Sequence, residues 1–138
     1  MILVDTSVWI EIFKDKTGYV ATAFQERIGS KNYVLSRFNQ LELLQGARDH
    51  KECELLEDYL STQYYLEATK HTWPAAARIY FELRRKGVTI NSSVDCCIAQ
   101  IALEYGAILL HMDKDFENIS KIRPLQQERF DVFQRTGR

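Results

Sequence analysis

Five acids occupy positions where a carboxylate could do chemistry. Asp5 closes the apolar run Ile2-Leu3-Val4, and Asp113 follows a second run, Ala107 to His111, with Asp115 close behind. Such runs read as strands buried on both faces of a parallel sheet, and ligands bind beyond the C-terminal ends of those strands. Glu42 lies between Leu41 and Leu44, beside an apolar helical face where an unpaired carboxylate is costly. Asp95 follows Ser92-Ser93, in the first turn of a helix. Gathered in one cleft, these groups would repel until some of them held protons. A hard divalent cation, Mg²⁺ or Mn²⁺, resolves the repulsion because it takes oxygen ligands and keeps several waters. Such a site can activate water and stabilise charge on a phosphodiester during in-line attack. The expected chemistry is metal-dependent phosphodiester hydrolysis.

Each position also has a plainer role open to it. Asp5 can cap the helix that follows, Asp95 can close a capping box with Ser92, and Asp113 and Asp115 can form an ordinary turn and N-cap. His111 suits packing at a strand end better than ligation, since Mg²⁺ seldom takes imidazole. Cys96 and Cys97 read as small buried residues, and Arg84-Arg85-Lys86 as a helix C-terminus complementing its dipole or as an RNA contact.

The elements that must position these residues follow from apolar spacing. Strands are expected at 2–5, 33–36, 64–66 and 107–111, with a last one at Phe130 to Phe133. Thr6 or Ser7 can cap a first helix carrying Val8, Trp9, Ile12 and Phe13. Further helices are expected at 19–28 and 38–45, then from Asp49 to Leu60 with Leu55, Leu56, Tyr59 and Leu60 facing inward. Two more run from Trp73 to Lys86 and from Ser93 to Glu104, ended by Gly87 and Gly106. Strands alternating with helices give one α/β domain over 1–138, its parallel sheet of four to five strands covered on both faces, and residues 134–138 as a frayed tail.

Length and composition agree. At 138 residues the chain is one domain long, and folding should bury roughly 68% of its unfolded surface. Hydrophobic residues make up 46% and charged residues 27%, which excludes disordered and collagen-like classes. No apolar run exceeds four residues, so neither a membrane span nor a signal-peptide core is expected, and Met1-Ile2-Leu3-Val4 opens directly on the fold. The three cysteines lack CxxC spacing, which excludes a disulfide scaffold or zinc site and fits a reducing cytoplasm. The 18 Lys and Arg against 19 Asp and Glu give a net charge of −1, unusual for a protein that binds phosphates. Setting the five acids aside leaves 18 against 14, a balance of +4.

The order of the motifs is more specific than any one of them. MILVDTSVWIEIF, LSRFNQLELLQG and SSVDCCIAQIALEYGAILLHMDKDFENI resemble the PIN-domain family from Ile2 to about Ile119. More narrowly, they resemble the VapC-type toxins of type II toxin–antitoxin pairs. The resemblance implies a three-layer α/β/α fold and a Mg²⁺- or Mn²⁺-dependent endoribonuclease that cuts RNA, often transfer RNA. It matches Asp5, Glu42, Asp95 and Asp113 to the family's four acids, and Asp115 to a fifth that is less consistently a ligand. Thr6, Ser7 and Ser93 fall at hydroxyl positions near metal and substrate. Asn39 stands where many members carry Thr.

The resemblance further implies a homodimer and a small VapB-like antitoxin that wraps an apolar groove and directs an Arg or Lys into the acids. Trp9 and Tyr19 are the residues expected to meet it. A non-cleaving PIN-type RNA-binding or interaction module is the alternative, though such modules usually lack one or more acids. A haloacid-dehalogenase-like phosphatase would need a second Asp where Ser7 stands.

Overall fold

The structure, a computed structural model, describes residues 1–132. The expected tail at 134–138 lies outside the described residues. Five parallel strands form one sheet in the order β3-β2-β1-β4-β5: β1 (Ile2–Val4), β2 (Tyr33–Ser36), β3 (Tyr65–Leu66), β4 (Ile108–His111) and β5 (Gln127–Arg129). Seven helices among the described residues connect and cover them: α1 (Thr6–Lys14), α2 (Tyr19–Ile28), α3 (Arg37–Gln45), α4 (His50–Leu60), α5 (Thr72–Arg85), α6 (Ser93–Tyr105) and α7 (Lys114–Ile119). None is long and apolar enough to cross a membrane.

Strand alternation divides the core into two layers. Leu3, Val34 and Leu109 pack on one face with Ile79 and Leu83 of α5, Ile98 and Ile101 of α6, and Phe116 of α7. Ile2, Val4, Leu35 and Leu110 point the other way, onto Val8 and Trp9 of α1, Phe24 and Ile28 of α2, and Leu60 of α4. This is the expected three-layer α/β/α arrangement. From β1 the chain builds outward to β2 and β3, then returns to place β4 on the opposite side of β1. The reversal opens a crevice between the C-terminal ends of β1 and β4, where a doubly wound sheet binds ligands.

Four expectations are corrected. The last strand lies at Gln127–Arg129, ahead of the Phe130–Phe133 position that apolar alternation suggested. Phe130 and Val132 are buried because they drop into the α1–α2 core, and pairing with β4 ends at the bond from Phe130 N–H to the His111 carbonyl. On α3 the apolar Leu41 is exposed (58%), whereas the polar Asn39 is fully buried, so Glu42 does not border a continuous apolar face. On α4 only Leu60 is buried, leaving Leu55 at 62% and Tyr59 at 40% exposure, so most of its apolar face stands open.

Trp9 is the fourth. At 2% exposure it is core, enclosed by the rings of Phe13, Phe24, Tyr33 and Tyr59, and it offers no surface to a partner. Its indole N–H is buried without a hydrogen-bond partner among the described residues, which costs on the order of 1–3 kcal/mol. Trp9→Phe removes that orphan donor while keeping a ring in the cluster. It should therefore destabilise far less than Trp9→Ala, for which loss of about 3–5 kcal/mol is expected in urea unfolding. Equal losses in the two variants would show that the ring cluster does not hold this layer together.

Candidate active site

β1 delivers Asp5 to the crevice, and the carboxylate then caps α1. Asp5 Oδ2 accepts from the backbone N–H of Ser7 at 3.1 Å and from the Ser7 hydroxyl at 2.6 Å. The cap is thus Asp5 itself, in place of Thr6 or Ser7. Ser7 Oγ also accepts from Met112 N–H at 3.0 Å, tying the start of α1 to the segment after β4. One hydroxyl therefore sets the spacing of the two strand ends that carry Asp5 and Asp113.

The β4 end is held by His111. Its Nδ1 accepts from the backbone N–H of Asp113 at 3.1 Å, which requires the proton to sit on Nε2, 2.6 Å from Gln127 Oε1 on β5. Burial favours this neutral ring and holds the imidazole below its ordinary pKa. The side chain is a fully buried packing residue, as its type suggested, and it also orients the backbone from which Asp113 projects. Asp113 then caps α7, its Oδ1 accepting from Asp115 N–H at 2.9 Å. The acids after β4 thus sit at a helix start, with Asp113 in the N-cap role that the sequence allowed.

α6 brings Asp95 to the same place. Ser92 caps this helix by accepting from Val94 N–H, so the Asp95 carboxyl is turned toward Asp115. Oxygens of Asp95, Asp113 and Asp115 lie within 4.8 Å of one another. Asp115, weighted least by the family pattern, is the most buried of the three at 4% exposure, and its Oδ2 accepts from Asn91 N–H at 3.0 Å. Ser93 is exposed at the helix start.

Thr6 and Asp5 are joined by a residue to which the sequence gave no role. Asn39 Oδ1 accepts from both the backbone N–H and the hydroxyl of Ser36, closing a capping box on α3. Its amide nitrogen must then face the crevice, where it donates to Thr6 Oγ1 at 3.0 Å and to Asp5 Oδ1 at 3.5 Å. The Thr6 hydroxyl in turn donates to Glu42 Oε1 at 2.7 Å. Ser36 followed by Asn39 at capping-box spacing was the available signal for this connection.

No ion pair among the described residues reaches any of the five acids. The electrostatic consequence is consistent across them. Burial is the main force raising the pKa of Asp5 and of Glu42, against hydrogen bonds from Ser7 and Thr6, and Asp113 repels both. Asp95 is held far above the usual carboxylate range by burial first, then by sharing a proton with Asp115 and by the charges of Asp5 and Asp113. Such a crowded set of carboxylate oxygens fits a hard divalent ion better than zinc or a soft metal.

A carboxyl that is raised in the fold stabilises it at low pH and loses that contribution as the pH climbs through its folded pKa. In metal-free buffer the thermal stability gained by Asp95→Asn over the parent should be nil near pH 3.8 and grow as the pH rises to about 9. A gain that shrinks with pH would contradict the crowding of these acids.

Comparison with known proteins places this geometry. The PIN domain family matches residues 2–122. Ribonuclease VapC11 of Mycobacterium tuberculosis is 37% identical over 136 residues, covering 94% of this chain and 99% of that protein. Among solved structures, VapBC-1 from nontypeable Haemophilus influenzae superposes with a TM-score of 0.74 at 22% identity, covering 94% of this chain and 98% of that one. DNA-bound VapBC from Salmonella typhimurium gives a TM-score of 0.74 at 20% identity, with the same coverage of 94% and 98%. Sequence and fold agree: the chain belongs to the PIN-domain family, among its VapC members.

Proposed function

We propose that this protein is a divalent-metal-dependent endoribonuclease and the toxin of a type II toxin–antitoxin pair. The observation that carries the reading is the cluster of Asp95, Asp113 and Asp115, joined by Asp5 and Glu42 in a crevice without a neutralising cation among the described residues. The presence of all the expected acids favours cleavage over a passive RNA-binding module. Relatives named as VapC ribonucleases support the same choice.

Asp95, Asp113 and Asp115, with Asp5 and Glu42 beside them, would hold Mg²⁺ or Mn²⁺. When bound, such an ion supplies Lewis-acid activation of water and offsets charge building on the phosphodiester. The chain's own residues supply orientation. Ser7 fixes the Asp5 carboxylate through two donors, and Asn39 fixes Thr6, whose hydroxyl directs its proton to Glu42. His111 and Asn91 hold the segments bearing Asp113 and Asp115. Thr6, Ser7 and the exposed Ser93 border the crevice and are assigned to substrate contact.

The antitoxin has a place to bind. Ile10, Phe13, Leu55, Leu56 and Tyr59 line a cavity of about 680 Å³ that reaches Glu42. An amphipathic helix lying there would cover the open face of α4 and bring a basic side chain to the acids. Tyr19, 39% exposed, remains a candidate contact, whereas Trp9 lies beneath this groove's floor and acts only through Phe13 and Tyr59. Leu41 and Trp73, 58% and 54% exposed, supply an apolar patch for self-association.

Purified parent protein should cleave RNA with Mg²⁺ or Mn²⁺ and stop when the ion is chelated. Asp5→Asn should lower cleavage by more than about 100-fold, beyond the loss typical of an outer-shell partner, with the fold intact or slightly stabilised. Expressed alone, the parent should arrest growth, the variant should not, and coexpressed antitoxin should restore growth. Metal-independent cleavage, or a fully active Asp5→Asn protein free of contaminating nuclease, would overturn the reading.

A further inference from the structure

The last turns of α5 carry a cationic face that the acid site does not use. Arg78, Arg84, Arg85 and Lys86 are all exposed, and none forms an ion pair among the described residues. The one acid among them, Glu82, is already held by Arg123 through two hydrogen bonds of 2.9 and 3.1 Å. Cations at a helix C-terminus complement its dipole, which accounts for Arg84, Arg85 and the C-cap Lys86. It does not account for Arg78 two turns earlier.

Aromatic rings are interleaved with these charges. Phe81 is 48% exposed on the same helix face as Arg78 and Arg85. The Arg85 guanidinium stands 5.8 Å from its ring centroid, and the Arg84 guanidinium 5.9 Å from that of Tyr80. Beside Phe81, the residues Pro74, Ala77, Arg78 and Glu82 enclose a shallow depression of about 350 Å³. Exposed rings set among cations are a means by which proteins hold single-stranded nucleic acid, bases stacking while phosphates pair with the charges.

Position relates this face to the crevice. The loop that follows Lys86 reaches the acids directly, since Asn91 N–H donates to Asp115. Five residues of chain span at most about 18 Å, so Lys86 lies within a few nucleotides of the cluster. A strand entering a crevice of five carboxylates needs cations close by to hold its phosphates. The chain has a +4 excess once those acids are set aside, and this end of α5 concentrates it.

We infer that the C-terminal half of α5, with Arg78, Phe81, Arg84, Arg85 and Lys86, binds the phosphate backbone and a base of single-stranded RNA leading into the crevice. The inference rests on the ribonuclease reading and adds where the substrate lies. The test measures binding of a fluorescently labelled, mixed-sequence single-stranded RNA across a salt series, with Asp5→Asn as the non-cleaving parent. Adding Arg84→Gln, Arg85→Gln and Lys86→Gln should lower the slope of log affinity against log salt by about 2, at about 0.7 per lost phosphate contact. Affinity near physiological salt should fall by about one to two orders of magnitude. Phe81→Ala should weaken binding with the slope unchanged, and Lys31→Gln/Lys51→Gln, a charge control elsewhere on the surface, should leave both quantities as they were. A triple variant with the parent's slope and affinity overturns the inference alone, and so does one that loses antitoxin but keeps RNA. A parent that binds no RNA overturns the ribonuclease reading together with it.

Discussion

Mutual repulsion among buried carboxylates is the constraint on which the rest of this structure turns. Asp5, Asp95 and Asp115 are each less than a tenth exposed, and Glu42 and Asp113 crowd the same crevice. Burying a charge is costly unless something satisfies it, and no Lys or Arg among the described residues pairs with these acids. The fold holds them with neutral donors instead. Backbone N–H groups of Ser7, Asn91 and Asp115, the hydroxyls of Thr6 and Ser7, and the Asn39 amide all point at carboxylate oxygens. Neutral donors fix geometry without cancelling charge, which leaves the crevice short of positive charge and open to a divalent ion.

Those donors are supplied by the way the elements end. Capping interactions at the starts of α1, α3, α6 and α7 all lie around the crevice, and at α1 and α7 the capping side chain is itself one of the acids. Helix N-termini favour negative charge, so the same local chemistry that starts these helices lowers the cost of gathering the acids. The capping role and the site role of Asp5 are therefore not alternatives. Sheet order completes the arrangement, because the reversal between β1 and β4 is what leaves space for the groups to meet.

Much of this was legible in the sequence, for identifiable reasons. Short apolar runs ending in Asp5 and Asp113 reported the central strands, because strands buried on both faces have no polar alternation to obscure them. Asp5, Asp95, Asp113 and Asp115 were singled out from those runs and from a helix start, whereas Glu42 was reached through an apolar face that the fold does not keep continuous. What escaped notice depended on contacts between distant segments. Asn39 lacks charge, and its value comes from facing Thr6 and Asp5 across the fold. His111 was read as packing because its second role needs Gln127 on a strand that apolar alternation had placed too late. Leu55 and Tyr59 were assigned inward by helical period alone, although period gives a face without saying what covers it. Trp9 was the reverse case, a residue assigned to a partner that a ring cluster encloses.

The most direct measurement of the central claim is anomalous diffraction from crystals grown with Mn²⁺. A peak is expected in the crevice, within ligand distance of oxygens from Asp95, Asp113 or Asp115 and adjoining Asp5 and Glu42. Crystals of protein that cleaves RNA in the same Mn²⁺ buffer, yet show no peak there or bind the ion only elsewhere, would contradict it.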